Sequence, residues 1–75
     1  MRADLIPQML ASCKDSRSAN LFLKRNNVKG VMFQAIPTRE ARTIYGLFIL
    51  GEDHWWREIY RSDKIRDCII ALGYY

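Results

Sequence analysis

Two hydrophobic periods alternate along this 75-residue chain, one near 3.6 and one near 2. Over residues 4–14, Leu5, Ile6, Met9, Leu10 and Cys13 fall on one face of a helix. Asp4 stands where an N-cap belongs, and Pro7 falls in the first turn, where its missing N–H costs nothing. The polar run 15–18 breaks that stripe. A second, shorter helix is expected over 19–25, with Ala19, Phe22 and Leu23 inward and Asn26, Asn27 and Gly30 as stop signals. The run from Asn20 to Leu23 also reads as a strand, so the residues alone leave that alternative open.

Beyond Gly30 the period shortens. Residues 31–36 read as a strand ended by Pro37, and residues 42–50, rich in β-branched and aromatic side chains, read as a second. Gly51, Glu52 and Asp53 form a turn, and 54–60 read as a third strand. Links this short imply an antiparallel meander with 42–50 in the centre. The last element is a helix over 62–73. Ser62 is its expected cap, Ile65, Cys68, Ile69 and Leu72 form its apolar stripe, and Gly73 its end. Asp63/Arg66 and Lys64/Asp67 are expected as ion pairs at i+3. The predicted fold is a single small α+β domain over 1–75: two N-terminal helices, a three-stranded antiparallel meander, and a C-terminal helix packed on the sheet.

The central strand bears directly on function. Its side chains alternate between two faces, one carrying Ile44, Gly46, Phe48 and Leu50, the other Thr43, Tyr45, Leu47 and Ile49. Both sets are apolar, whereas a sheet with helices on one side should turn a polar face to water. Either the helices split across both faces or a second chain covers one of them; a homodimer is expected. Trp55 and Trp56 are adjacent, so they point to opposite sides: Trp55 with Arg57 and Ile59, Trp56 with Glu58 and Tyr60. The candidate protein interface is Tyr45, Leu47, Ile49, Trp55, Trp56 and Tyr60, because exposed aromatics supply contact area at low entropic cost.

Charge adds a second candidate. The net charge is +4, but residues 1–42 hold eight basic against three acidic side chains, and residues 43–75 hold four against five. Lys14, Arg17, Lys24, Arg25 and Lys29 surround the junction of the first two helices with Asp15 as the only acid among them, a composition that suits a polyanion. The second helix is short and carries Leu21, Phe22 and Leu23 in a row, which argues against a major-groove reader.

Catalytic chemistry finds little support. His54, the only histidine, follows Glu52 and Asp53 in a turn and reads as a solvated polar cluster. Cys13 and Cys68, 55 positions apart, match no metal-ligand spacing and sit on apolar stripes, where thiols are inert. No catalytic residue, metal site or cofactor is assigned. No apolar run approaches a membrane span, the N-terminus does not read as a signal peptide, and a cytoplasmic location with reduced thiols is expected. The function expected is a non-catalytic, accessory or inhibitor type binding module working through a protein surface as a homodimer. The alternatives are a nucleic-acid-binding regulator using the basic half, and a small-ligand binder with an aromatic-lined cleft between sheet and helices.

Overall fold

The computed structural model describes residues 3–75, so Arg2, counted above in the basic half, lies outside the described residues. The element order is α1 (Leu5–Ser12), α2 (Ser16–Arg25), β1 (Val31–Pro37), β2 (Thr43–Leu50), β3 (Trp56–Ser62) and α3 (Ile65–Leu72). The strands form one antiparallel sheet in the order β1-β2-β3, with β2 central. This is the predicted α+β architecture, and α3 packs on the sheet across β2 and β3.

Local chemistry accounts for the boundaries of α2, the two hairpin loops and α3, whereas Asp4 stands at the N-cap of α1 with a right-handed backbone and makes no side-chain capping bond. Residues 20–25 are helical, which excludes the strand alternative there. The helix begins at Ser16 rather than 19, because Asp15 and Ser18 form a reciprocal capping box. Ser18 N–H donates to Asp15 Oδ1 at 2.8 Å, and Asp15 N–H donates to Ser18 Oγ at 3.2 Å. At its other end Asn27 adopts φ 57°, while Asn27 N–H reaches Lys24 O at 3.2 Å and Val28 N–H reaches Leu23 O at 2.9 Å. That is a Schellman closure with Asn in the left-handed position.

Both hairpins use the same loop. Thr38 N–H donates to Arg42 O at 3.0 Å and Gly51 N–H to Trp55 O at 2.9 Å, and the fourth residue of each loop is left-handed, Ala41 at φ 58° and His54 at φ 65°. Each is a tight turn followed by one left-handed residue. Enclosing 51–55 in the second loop moves β3 to 56–62 instead of 54–60. The strand consequently takes up Ser62, which is not the N-cap of α3. Lys64 holds that position, while Ser62 Oγ accepts from Lys64 N–H at 3.2 Å and donates to Asp67 Oδ2 at 2.8 Å. Neither expected i+3 pair forms: Asp63 binds Arg42 at 3.0 Å and Asp67 is held by Ser62. Gly73 ends α3 with a right-handed backbone, φ −63°, and tightened i→i+3 bonds; its lack of a side chain lets Ile6 of α1 approach, since a Cβ there would lie 3.3 Å from Ile6 Cγ1.

The core lies between the sheet and the three helices. Leu5 and Met9 of α1, Ala19 and Leu23 of α2, and Ile65, Cys68, Ile69 and Leu72 of α3 are buried, with Cys13 just beyond α1. The sheet contributes Phe33 and Leu47, which face each other across β1 and β2. Burying each of the larger side chains contributes about 1.5–3 kcal/mol. The thinnest extent is 20 Å, the depth of one sheet plus one helical layer, so all the helices occupy one side of the sheet.

Candidate interaction surfaces

Because Leu47 and Phe33 define the covered face, strand alternation places Val31, Tyr45 and Ile49 there too, and all three pack against the core. The opposite face is built from Met32, Gln34 and Ile36 of β1 and Ile44, Gly46, Phe48 and Leu50 of β2. Among the described residues no helix lies over it. Among the residues expected as a protein interface, Leu47 is 0% exposed, and Tyr45 and Ile49 share its face. They are core-side residues in this fold, and the apolar face left open is the other parity of the same strand.

Strand β3 completes that open face through a bulge. Leu47 pairs with Tyr60 but Phe48 pairs with Glu58, so Ile59 is an extra residue on β3. The insertion flips the alternation. Glu58 and Arg61, three positions apart, would otherwise point to opposite faces; here they oppose Phe48 and Gly46 and form a two-pronged ion pair, 3.0 Å from Nε to Oε1 and 3.0 Å from Nη2 to Oε2. The pair and the Phe48 ring both lie over Gly46, where a Cβ would sit 2.8 Å from Phe48 Cε1 and 2.8 Å from Glu58 Oε2. Trp56 opposes Leu50 on this open face and is 42% exposed. Trp55, 71% exposed, precedes the strand with the opposite parity.

Tyr60 does not share Trp56's face as simple alternation predicts. The bulge turns it with Ile59 toward α3, where they line a cleft of about 390 Å³ with Asp67, Ile70, Ala71, Tyr74 and Tyr75. An aromatic-lined cleft between sheet and helix therefore exists, with Asp67 as its one charged lining residue.

The two edges of the sheet are treated differently. Asn20 of α2 donates from Nδ2 to Phe33 O at 2.8 Å and accepts Phe33 N–H on Oδ1 at 2.8 Å, occupying the outward pair of groups in the middle of β1. Two outward-facing steps further along, past Ala35, Pro37 has no N–H to offer. The β3 edge carries Arg57, Glu58 and Arg61 and the bulge, features that disfavour pairing with another strand. Sequence reasoning missed Asn20; the available signal was one amide on the flank of α2 adjoining its buried stripe of Ala19 and Leu23.

Ion pairing cuts across the division that the charge count made, since Arg42 of the basic half is paired and, among the described residues, Lys64 and Arg66 of the other half are not. Arg42, Arg57 and Arg61 are paired with Asp63, Asp53 and Glu58. Among the described residues, Lys14, Arg17, Lys24, Arg25 and Lys29 form no ion pair, and all five are exposed. Arg17, Lys24 and Arg25 share the outward side of α2 with Leu21, opposite buried Ala19 and Leu23. Hydrogen bonds from Ser18 N–H and then Oγ hold the Asp15 carboxyl below the usual carboxylate range, and its oxygens are turned to the start of α2.

The groups considered for chemistry are committed elsewhere. Asp53 binds Arg57 at 2.6 Å, which lowers its pKa, and neighbouring His54 occupies the left-handed loop position. Cys13 and Cys68 are free and buried; burial pushes the Cys68 thiol up to about 11, and its Sγ contacts Tyr45 O at 3.4 Å. Among the described residues no group of three or more His, Cys, Asp or Glu is placed to hold a metal ion, and no helix is long and apolar enough to cross a membrane. No protein-family model, no curated protein and no solved structure matches the chain.

Proposed function

We propose that this chain is a non-catalytic protein-binding module whose working surface is the open sheet face and whose partner there is a second copy of itself. The observation that carries this reading is the apolar face of Met32, Ile36, Ile44, Phe48, Leu50 and Trp56 with no helix over it. Three strands about 4.8 Å apart and some 25 Å long give that face a footprint of roughly 300 Å² before side-chain relief is counted. Gln34 and the Glu58–Arg61 pair take up part of that footprint, and contiguous apolar area on the scale of the remainder is often functional on a monomer. Sheet faces pack on one another at about 10 Å, and a two-fold pairing is the simplest closed arrangement. Asn20 and Pro37 at one edge and the bulged, charged β3 at the other disfavour growth by strand addition, so face-to-face association is the route that remains.

Light scattering on a sizing column, run from low to high micromolar concentration, tests the proposal. The expected mass is twice the chain's 8.8 kDa, and Phe48→Asp should return it to 8.8 kDa with an unchanged circular dichroism spectrum. A parent protein of 8.8 kDa throughout that range sinks the reading.

A further inference from the structure

The unpaired cations on and beside α2 belong to the helical layer, with Lys24 and Lys29 lining a groove at the β1 edge beside Asn20 and Met32, and they ask for a different occupant. We infer that the outward side of α2, with Lys14 and Lys29 at its ends, binds the phosphate backbone of a nucleic-acid duplex without reading its sequence. Three features point there. Five basic side chains are concentrated in 16 residues and, among the described residues, none is neutralised by an ion pair, whereas Arg42, Arg57 and Arg61 each have a carboxylate partner and the other unpaired cations, Arg39, Lys64 and Arg66, form no comparable concentration. The ten residues of α2 make a rigid rod about 15 Å long, a length over which a duplex presents roughly nine phosphates. The face is also poor in anything but charge. Leu21, 46% exposed, is its one large apolar residue, too little for the apolar centre of a protein interface. It offers no exposed aromatic on which unstacked bases could lie, as a single-strand site requires. The apolar side of α2 is spent on the core, so the helix cannot lie in a lipid surface with that side down. Base readout is not expected, because Leu21 stands in the middle of the outward side, where a recognition helix carries polar readers.

Fluorescence anisotropy with a labelled 16-base-pair duplex decides the matter, run between 50 and 200 mM salt beside the matching single strand and vesicles containing phosphatidylserine. Five neutralised phosphates give a log–log salt slope near −4.5, so the dissociation constant should rise about 500-fold over that range, and equally for duplexes of different sequence. The double variant Arg17→Glu/Lys24→Glu should bind at least ten-fold more weakly, with a slope nearer −2.7. Lys64→Glu/Arg66→Glu changes net charge by the same amount on α3 and serves as the control, expected to lose less than three-fold. Circular dichroism confirms that both variants fold. The inference is overturned if the duplex is not bound at 50 mM salt, if both double variants lose equally, if the single strand binds more tightly, or if only vesicles bind. Because Phe48→Asp leaves α2 untouched, duplex binding by that variant separates this inference from the dimer proposal.

Discussion

Strand β2 presents two faces of nearly equal hydrophobicity that meet different fates. Tyr45, Leu47 and Ile49 lie under helices, and Ile44, Phe48 and Leu50 do not. Composition cannot explain the difference; the connections can. Asn20 fastens α2 beside β1, and only Asp63 and Lys64 separate β3 from α3, so each helix folds back on the same side of the sheet. The comparison teaches that an apolar strand face states a need for cover without stating who provides it. Substitutions at adjacent β2 positions make this measurable.

The largest effect should come from Leu47→Asp. It places a charge where the parent side chain is 0% exposed and where no cationic side chain is buried, at a cost of several kcal/mol against a total stability of about 5 kcal/mol for this size. Loss of the cooperative thermal transition is expected for Leu47→Asp, while Phe48→Asp keeps its own. Two variants that unfold alike would show that the open face is as essential to the monomer as the core.

Next in size is Asn20→Ala. Removing the amide leaves Phe33 N–H and C=O without their partners, which costs about 1–3 kcal/mol and uncovers the β1 edge. Denaturant titration should show that loss, and aggregation on warming should increase. An unchanged midpoint would mean that water replaces the amide at no cost and that the edge needs no seal.

Much of this fold was legible in the sequence because period, turn chemistry and short links all agreed. Of the α1 stripe, Leu5, Met9 and Cys13 are buried while Ile6 and Leu10 are half-buried against the core, and the α3 stripe of Ile65, Cys68, Ile69 and Leu72 is buried as the spacing implied. The face assignment was not legible. Parity says that Leu47 and Phe48 part company, and nothing in their own side chains says which way the helices go. The β3 bulge was hidden for a related reason: one extra residue leaves no mark on composition, yet it moves Tyr60 to the α3 side and brings Glu58 and Arg61 together. The open cationic stripe lay between these extremes. Its charge count was readable, and the absence of carboxylate partners among the described residues needed the positions of Asp53, Glu58 and Asp63.

A smaller effect should appear on the covered face in alkali. Burial raises the Cys68 pKa from its ordinary 9.0 to about 11, so the folded state keeps a proton that the unfolded chain releases. The resulting stability is fully present below pH 9.0 and is lost as pH rises toward 11. The denaturation midpoint of the parent should therefore fall over that window by more than that of Cys68→Ala. Equal falls in the two proteins would show that the thiol does not sense the core.

The smallest effect on folding, and the finest test of the two faces, is Glu58→Gln. The Glu58–Arg61 pair lies over Gly46 on the open face, with Arg61 still half in water, and an exposed pair of this kind contributes less than about 1 kcal/mol to a monomer. A second copy seated on the face would change that, because it removes water from both charges. Neutralising Glu58 would then strand Arg61 in a dry interface, a loss several times larger. The expected outcome is a melting temperature within a few degrees of the parent, measured dilute, together with a dimer at least ten-fold weaker by sedimentation equilibrium. If association weakens no more than folding does, water still reaches the pair, and the contact between copies must be centred on Leu50 and Trp56 instead.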